Sequence, residues 1–380
     1  MVSVHAYTAN RQGRFMTEVA QTLWNNPPNE DGLFARIVSY SRKHPVLTIL
    51  SVLLILVVLR TLYGIFDWAV LRGVINSPDS QLCRVEGAGA CWAVIQERWR
   101  IIIYGLYPYD QQWRSSVACL IILVTGVLSC MPVFWRFSRI APLWILGFGG
   151  FTILMSGGIF GLQSIPVRQW GGLSLTFFVF SCVTILTMPT SILLVLLRQS
   201  SLPLVSHSVQ VIIDFVRSLP LLVVLFVAAV VLPFGLPDFL IGEKLFRVIA
   251  GFTLYVSCYQ AEILRGGILS LPSGQDEAAK ALGLGYWHRV SRIILPQAFK
   301  VTLPSTINQI VIIFLETPLI VIIGFFEVLA SGSAAFGTAE WGIASKEVYI
   351  FIGVIFFVFS LSLSRYGAYL ETRLSKRDRT

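Results

Sequence analysis

The sequence predicts an all-α polytopic membrane protein with about eight transmembrane helices, each of roughly bilayer length. Three observations carry that fold class. Of 380 residues 55% are hydrophobic and only 13% charged, with a mean hydropathy of +0.74, where a soluble domain carries about 25% charged residues. The apolar residues come in continuous runs of roughly the twenty residues a helix needs to cross a bilayer. The ten-residue alternation of a membrane barrel is absent, which leaves helices to satisfy the backbone inside lipid. A net charge of +9 would suggest nucleic acid for a soluble protein. Here it fits lysines and arginines gathered in cytoplasmic loops, and no nucleic acid is expected.

Residues 1–44 are mixed polar, with Arg11, Arg14, Arg36, Arg42 and Lys43 against Glu18, Glu30 and Asp31. No short apolar core with a small-residue cleavage site occurs in the first thirty positions, so no removable secretory signal is expected. The first span covers 45–66, and the basic flank before it predicts a cytoplasmic N-terminus. Residues 71–115 then form a polar insert on the periplasmic side, where thiols can oxidise. Cys83 and Cys91 in this insert can close a disulfide or remain two unpaired thiols. Trp92, Trp99, Tyr104, Tyr107, Tyr109 and Trp113 read as an interfacial aromatic belt. The other cysteines, Cys119, Cys130, Cys182 and Cys258, lie in or near apolar runs as small packing residues.

Spans at 116–131 and 141–160 flank the short basic turn 135–139. Together with the first span they make an accessory unit over 45–165. Five further spans follow near 172–197, 209–234, 244–264, 301–325 and 347–366. Counting crossings from a cytoplasmic N-terminus places Arg198, the polar stretch between the third and fourth of these, and the tail 371–380 on the cytoplasmic side. The tail carries Arg373, Lys376, Arg377 and Arg379, in agreement with that orientation.

The polar stretch is orderly. Pro272, Ser273 and Gly274 signal a helix start, with Ser273 and Asp276 at capping-box spacing. Helix formers run from Gln275 to Leu282, and Gly283 and Gly285 end that helix. A second helix begins near Tyr286 and carries His288, Arg289, Arg292 and Lys300. A helix, glycine break, helix unit between two spans is a handle on which something outside the membrane can push. No phosphate-binding glycine loop with its lysine, no HExxH, no GxSxG and no metal-spaced histidines occur in the sequence. The chain is therefore not expected to be an enzyme or to hold a cofactor, and energy for pumping must come from a separate subunit.

Glu277-Ala278-Ala279, then Gly283, Ile293 and Leu295-Pro296 reproduce, at full spacing, the signature that resembles the membrane subunits of bacterial ABC importers. The flanks 261–268, 274–275, 281–284 and 296–298 are similar to the polar amino acid branch of that family. The insert sequence GACWAVIQERWR with its following YPY resembles the longer, general L-amino-acid permeases. The resemblance implies a type I ABC importer transmembrane fold in the C-terminal five spans, over residues 170–370, with a coupling loop at 265–300. Glu277, Ala278, Ala279, Gly283, Ile293, Leu295 and Pro296 would then engage a cytoplasmic ATPase. The partners implied are two copies of that ATPase, with ATP and Mg bound on it, a periplasmic amino-acid-binding protein, and a companion permease, expected to be a distinct homologous chain. The implied location is the bacterial inner membrane with both termini cytoplasmic. The implied cargo is polar or general L-amino acids such as glutamate, glutamine and aspartate.

Ionisable residues within spans default to functional candidates. Glu316 lies near the middle of its span, with Asn308, Gln309 and Thr317 nearby and Pro318 able to kink the helix. It can face the translocation path and meet a substrate ammonium, or form a salt bridge across the subunit seam. The family often has a Lys-[Asp/Asn]-Thr-Ser-Leu segment where this chain has Leu315-Glu316-Thr317-Pro318-Leu319. Residues 215–221 resemble the family's Arg-Gly-Thr-Pro-Leu segment, with Ser218-Leu219 replacing Gly-Thr. Asp214 with Arg217, and Glu262 with Arg265, have the spacing of helical ion pairs; a gate or latch is the alternative for both. The rival function is an ion-coupled secondary amino acid transporter with Glu316 as the coupling carboxylate.

Overall fold

The computed structural model describes residues 40–377. Residues 1–39 of the expected cytoplasmic N-terminal segment 1–44, and the last three residues of the tail, lie outside the described residues. Contacts divide the chain into two units, one ending at Arg72 and one beginning at Gly73. The sequence-based unit of residues 45–165 therefore has its first span in one and the rest in the other.

The described part of the first unit is the helix α1, Pro45–Phe66, continued by one π-helical turn, Asp67–Leu71. Proline at its first position suits a helix start, and none of its residues is buried within the chain. The Arg72 guanidinium closes the end on Asp67 at 2.6 Å.

In the second unit the insert contributes a short 3-10 turn, Ser80–Arg84, and helix α2, Ala93–Tyr104. Helices α3, Gln112–Ser129, and α4, Phe137–Ser156, pack on each other as a hairpin. Gly147 makes this approach close, because a Cβ there would lie 2.2 Å from Thr125 Oγ1. The long helix α5, Gly172–Arg198, follows. Next come α6, Pro203–Ser218, and α7, Leu221–Phe226, extended through a π turn into α8, Leu232–Gly235. The single turn α9, Asp238–Ile241, leads to α10, Lys244–Leu269. The polar stretch gives α11, Gly274–Ala281, and α12, Tyr286–Arg289, before α13, Leu295–Glu316. A 3-10 segment, Thr317–Ile323, then α14, Val328–Phe336, and α15, Ser345–Arg377, complete the unit.

Helix α10 is the centre, packed on α5 along one side and α13 along another, while α15 closes over α13. A cluster of phenylalanines, Phe177, Phe180, Phe314, Phe356 and Phe359, joins α5, α13 and α15, with the Phe314 and Phe359 rings 4.0 Å apart. Among the described residues six helices are long and apolar enough to cross a membrane, or seven if the bent pair Pro203–Ser218 and Leu221–Gly235 is one crossing. The expected span at 209–234 falls on this pair, which bends through 107° at its break. Leu219 is extended just before Pro220, as proline demands of the residue preceding it. The expected crossing at 244–264 is α10, which is outside that set of six. Its Thr253, Tyr255, Ser257, Tyr259 and Gln260 dilute the apolar run, and Gln260 is buried with its amide donating to Thr306 Oγ1 at 2.8 Å.

Helix α2 of the insert lies against α14, α5 and α15. Its C-terminal Gly105 adopts a left-handed φ of +59°, and a Cβ there would meet the Gly172 nitrogen at 2.5 Å. Backbone thus rests on backbone, which only glycine permits.

Candidate functional site

Two groups of polar residues stand out. The first is the loop around α11. Glu277 and Ala278 are exposed and Ala279 is buried, so the helix presents its acid and one small residue outward and rests on the other. The expected capping box is absent: Ser273 is already in the right-handed helical region and its side chain makes no cap bond. Its carbonyl accepts the Asp276 and Glu277 amides instead, at 3.2 and 3.3 Å. Asp276 is drawn to cations, with Lys280 Nζ at 2.6 Å and Arg289 Nε at 3.2 Å. The hydrogen-bonded Lys280, and after it the charge of Arg289, hold the Asp276 carboxyl below its ordinary range.

Gly283 ends the helix in the left-handed region, φ +73°. Its amide bonds the Lys280 carbonyl at 2.9 Å while the Leu284 amide reaches back to Ala279 at 3.1 Å. The chain thereby turns sharply from α11 into α12. Ile293 and Leu295 are half-buried where a π turn runs into α13, and Pro296 is exposed in the first turn of that helix. A cleft of about 320 Å³ lies between this loop and the end of α5, lined by residues including Gln199, Pro272, Asp276, Tyr286 and Arg289.

The second group surrounds Glu262 on α10. The expected pair with Arg265 is present, Nη2 to Oε2 at 3.0 Å. Arg198, at the end of α5, contacts Oε1, and Arg217, at the end of α6, stands 3.8 Å from Oε2. The expected pairing of Asp214 with Arg217 does not form. Asp214 is exposed and joins no ion pair among the described residues, because Arg217 turns toward α10 instead. Arg198 had no assigned role in the sequence; its place at the end of a span was the available signal. Sequence spacing finds i, i+3 pairs, whereas this cluster draws on three helices.

Glu316 ends α13 where the helix tightens into the 3-10 segment, and its Oε2 is buried without a hydrogen-bond partner among the described residues. Gln309 is buried two turns earlier on the same side of the helix, while Asn308 is exposed to one side. Thr317 is fully buried and its hydroxyl donates to the Phe314 carbonyl at 2.7 Å. The structure therefore aligns Gln309 with Glu316 and separates Asn308 and Thr317 from them. Another buried carboxylate that sequence reasoning missed, Glu327, accepts the Leu329 and Ala330 amides at 2.8 and 3.1 Å and caps α14. Among the described residues no cluster of His, Cys, Asp or Glu is arranged to hold a metal.

Residues 195–376 match the family described as binding-protein-dependent transport system inner membrane component. The chain is 39% identical to the inner membrane amino-acid ABC transporter permease protein YhdY of Escherichia coli, over 82% of this chain and 84% of that one. It is 33% identical to the glutamate/glutamine/aspartate/asparagine transport system permease protein BztC of Rhodobacter capsulatus, over 88% and 92% of the two chains. A crystal structure of an amino acid ABC transporter with histidines aligns with a TM-score of 0.47 and 26% identity, over 53% of this chain and 92% of that one. The chain belongs to the family of binding-protein-dependent inner membrane components, as a multi-pass inner-membrane permease of an amino-acid ABC transporter.

Proposed function

We propose that this permease imports polar L-amino acids of the glutamate, glutamine and aspartate class. The similarity to BztC, whose name carries those substrates and which aligns over 88% of this chain, supports that cargo. The chain itself is not an enzyme. A permease of this family works with an ATPase and a binding protein, and ATP with Mg belongs on the ATPase. Two ATPase copies, a periplasmic binding protein and a distinct homologous companion permease complete the assembly we propose. The ion-coupled alternative needs no ATPase and is without support from the family to which the chain belongs.

The observation that carries the coupling mechanism is the exposed α11 ending at a left-handed Gly283. In this reading the loop 265–300 faces the cytoplasm, as do both termini. Glu277 offers a charged contact to the ATPase, and exposed Ala278 lets that subunit approach the helix backbone. Gly283, Ile293, Leu295 and Pro296 transmit the displacement into α13. Closure of the ATPases then shifts α10 and α13, between which α11 is strung, and alternates the access of the path. Glu316 faces that path, and Arg198, Arg217 and Arg265 around Glu262 latch α5, α6 and α10 together. Uptake of glutamine and glutamate into proteoliposomes holding the whole complex tests the proposal. Vanadate should abolish it, and Glu277→Arg should lower it at least tenfold while the permease stays assembled in the membrane. Uptake that survives vanadate and collapses with an uncoupler would overturn the reading.

A further inference from the structure

Polar side chains also continue from the Glu262 group along one side of α10. Tyr255, Tyr259 and Glu262 recur at i, i+4 and i+7, the spacing of one helix face, and all three are half-buried. Helix α13, which ends at Glu316, packs along α10. The Tyr255 hydroxyl donates to the Tyr259 hydroxyl at 3.4 Å, and the Tyr259 hydroxyl donates to the Arg217 carbonyl at 3.0 Å. The Arg217 guanidinium lies 5.2 Å from the Tyr259 ring centre. The line then reaches Glu262. A chain of two phenols therefore runs along α10 to the backbone carbonyl of Arg217 on α6, with the Arg217 guanidinium beside the Tyr259 ring.

The three arginines at Glu262 are not equivalent. One carboxylate carries a single negative charge. Arg198 occupies Oε1 and Arg265 donates to Oε2 from both Nε and Nη2, at 3.1 and 3.0 Å. Arg217, at 3.8 Å, is beyond hydrogen-bond distance. Its Nε is buried and has no hydrogen-bond partner among the described residues. A buried donor without an acceptor is unfavourable, and a guanidinium fork is shaped to grip a carboxylate through two parallel bonds. Arg217 is also the penultimate residue of α6, next to the 107° bend between α6 and α7.

We infer that Arg217 is a carboxylate-binding station of the permease, taking the α-carboxylate of the amino acid as it passes along the polar line from Glu316. This rests on the reading of Glu316 as a path residue. The α-carboxylate is the group that acidic and amide amino acids share, so Arg217 serves the whole cargo class. Glu262 is left neutralised by Arg198 and Arg265 when Arg217 departs, so the exchange strands no negative charge. Glu316 holds the ammonium end and Arg217 the carboxylate end, as successive stations rather than as one clamp.

The test is equilibrium binding of radiolabelled glutamine and glutamate to the purified permease–ATPase complex, without binding protein, alongside glutamine α-amide as a probe lacking the α-carboxylate. Arg217→Gln should weaken both amino acids at least tenfold and leave the weak α-amide unchanged, and Arg217→Lys should recover part of the loss. A merely structural role would weaken all three ligands together, which would overturn the inference, as would loss confined to glutamate or no loss at all. Glu316→Gln separates the two readings. If Arg217→Gln discriminates by α-carboxylate while Glu316→Gln changes nothing, the path reading of Glu316 fails and the Arg217 station stands. If Glu316→Gln weakens binding and Arg217→Gln does not, the reverse holds.

Discussion

The backbone amide of Cys91 donates to Glu347 Oε1 at 2.9 Å, tying the insert to the start of α15 across 256 residues of sequence. Glu347 is buried. Cys91 is held for this bond by its disulfide to Cys83, with the Cα atoms 5.5 Å apart. Arg84 and Arg98 add contacts to the loop before α15, on the Ala339 carbonyl at 2.6 Å and on the Glu340 carboxylate at 3.3 Å. Glu347→Ala should destabilise this docking by about 1–3 kcal/mol, since it leaves a buried amide without its acceptor. Reduction of the disulfide should contribute a further loss of about 2–3 kcal/mol from the freed short loop. Limited proteolysis of the purified protein checks both: cleavage within residues 73–92 should accelerate in each case, and unchanged cleavage would show that the insert is held by other contacts.

Gly283 offers a clean separation of shape from space. A Cβ there meets nothing within 4 Å, yet φ is +73°. Gly283→Ala therefore introduces only backbone strain, about 1–2 kcal/mol for a residue with a side chain in the left-handed region. Transport should fall by several-fold while the amount of assembled complex stays constant. Gly285→Ala, at a position with negative φ, is the matched control and should retain uptake.

The loop around α11 should loosen in acid. The Asp276 carboxyl is held below its ordinary value by Lys280 and Arg289, so its ion pairs contribute stability that is present above the unfolded carboxylate range. That contribution is lost as pH falls through the depressed folded value. Hydrogen exchange of amides 274–282, corrected for the intrinsic pH dependence, should show protection declining below about pH 4. Asp276→Asn should remove that dependence, and an identical acid profile in the variant would contradict the assignment.

Close packing of α10 on α13 depends on Gly267. A Cβ at this position would lie 2.4 Å from Thr302 Cγ2 and 3.0 Å from the Ala298 carbonyl oxygen. Gly267→Val should push the helices apart at a cost of about 1–3 kcal/mol, read as a lower melting temperature of the detergent-solubilised protein. Gly266→Val, where no atom lies within 4 Å, should have little effect.

Much of the helical plan was legible because apolar runs of bilayer length and a spaced glycine–proline signature are local features. Pair spacing along one helix located Glu262 with Arg265, but the arrival of Arg198 and Arg217 from α5 and α6 is tertiary and leaves no periodic trace. The same limit explains Asp214, which has the right spacing for Arg217 and loses it to a better-placed carboxylate. Ser273 failed as a cap because its own backbone had already entered the helix. The break at Pro220 was hidden by apolar residues on both sides of it, which a hydropathy reading joins into one rod.

That break has a mechanical consequence. A straight helix adapts to a thicker or thinner bilayer by tilting, but two limbs set at 107° answer the same stress by opening or closing their elbow. Arg217 lies within two residues of this elbow. If the elbow responds in this way, turnover in short-chain and long-chain vesicles should differ even when every subunit is the same.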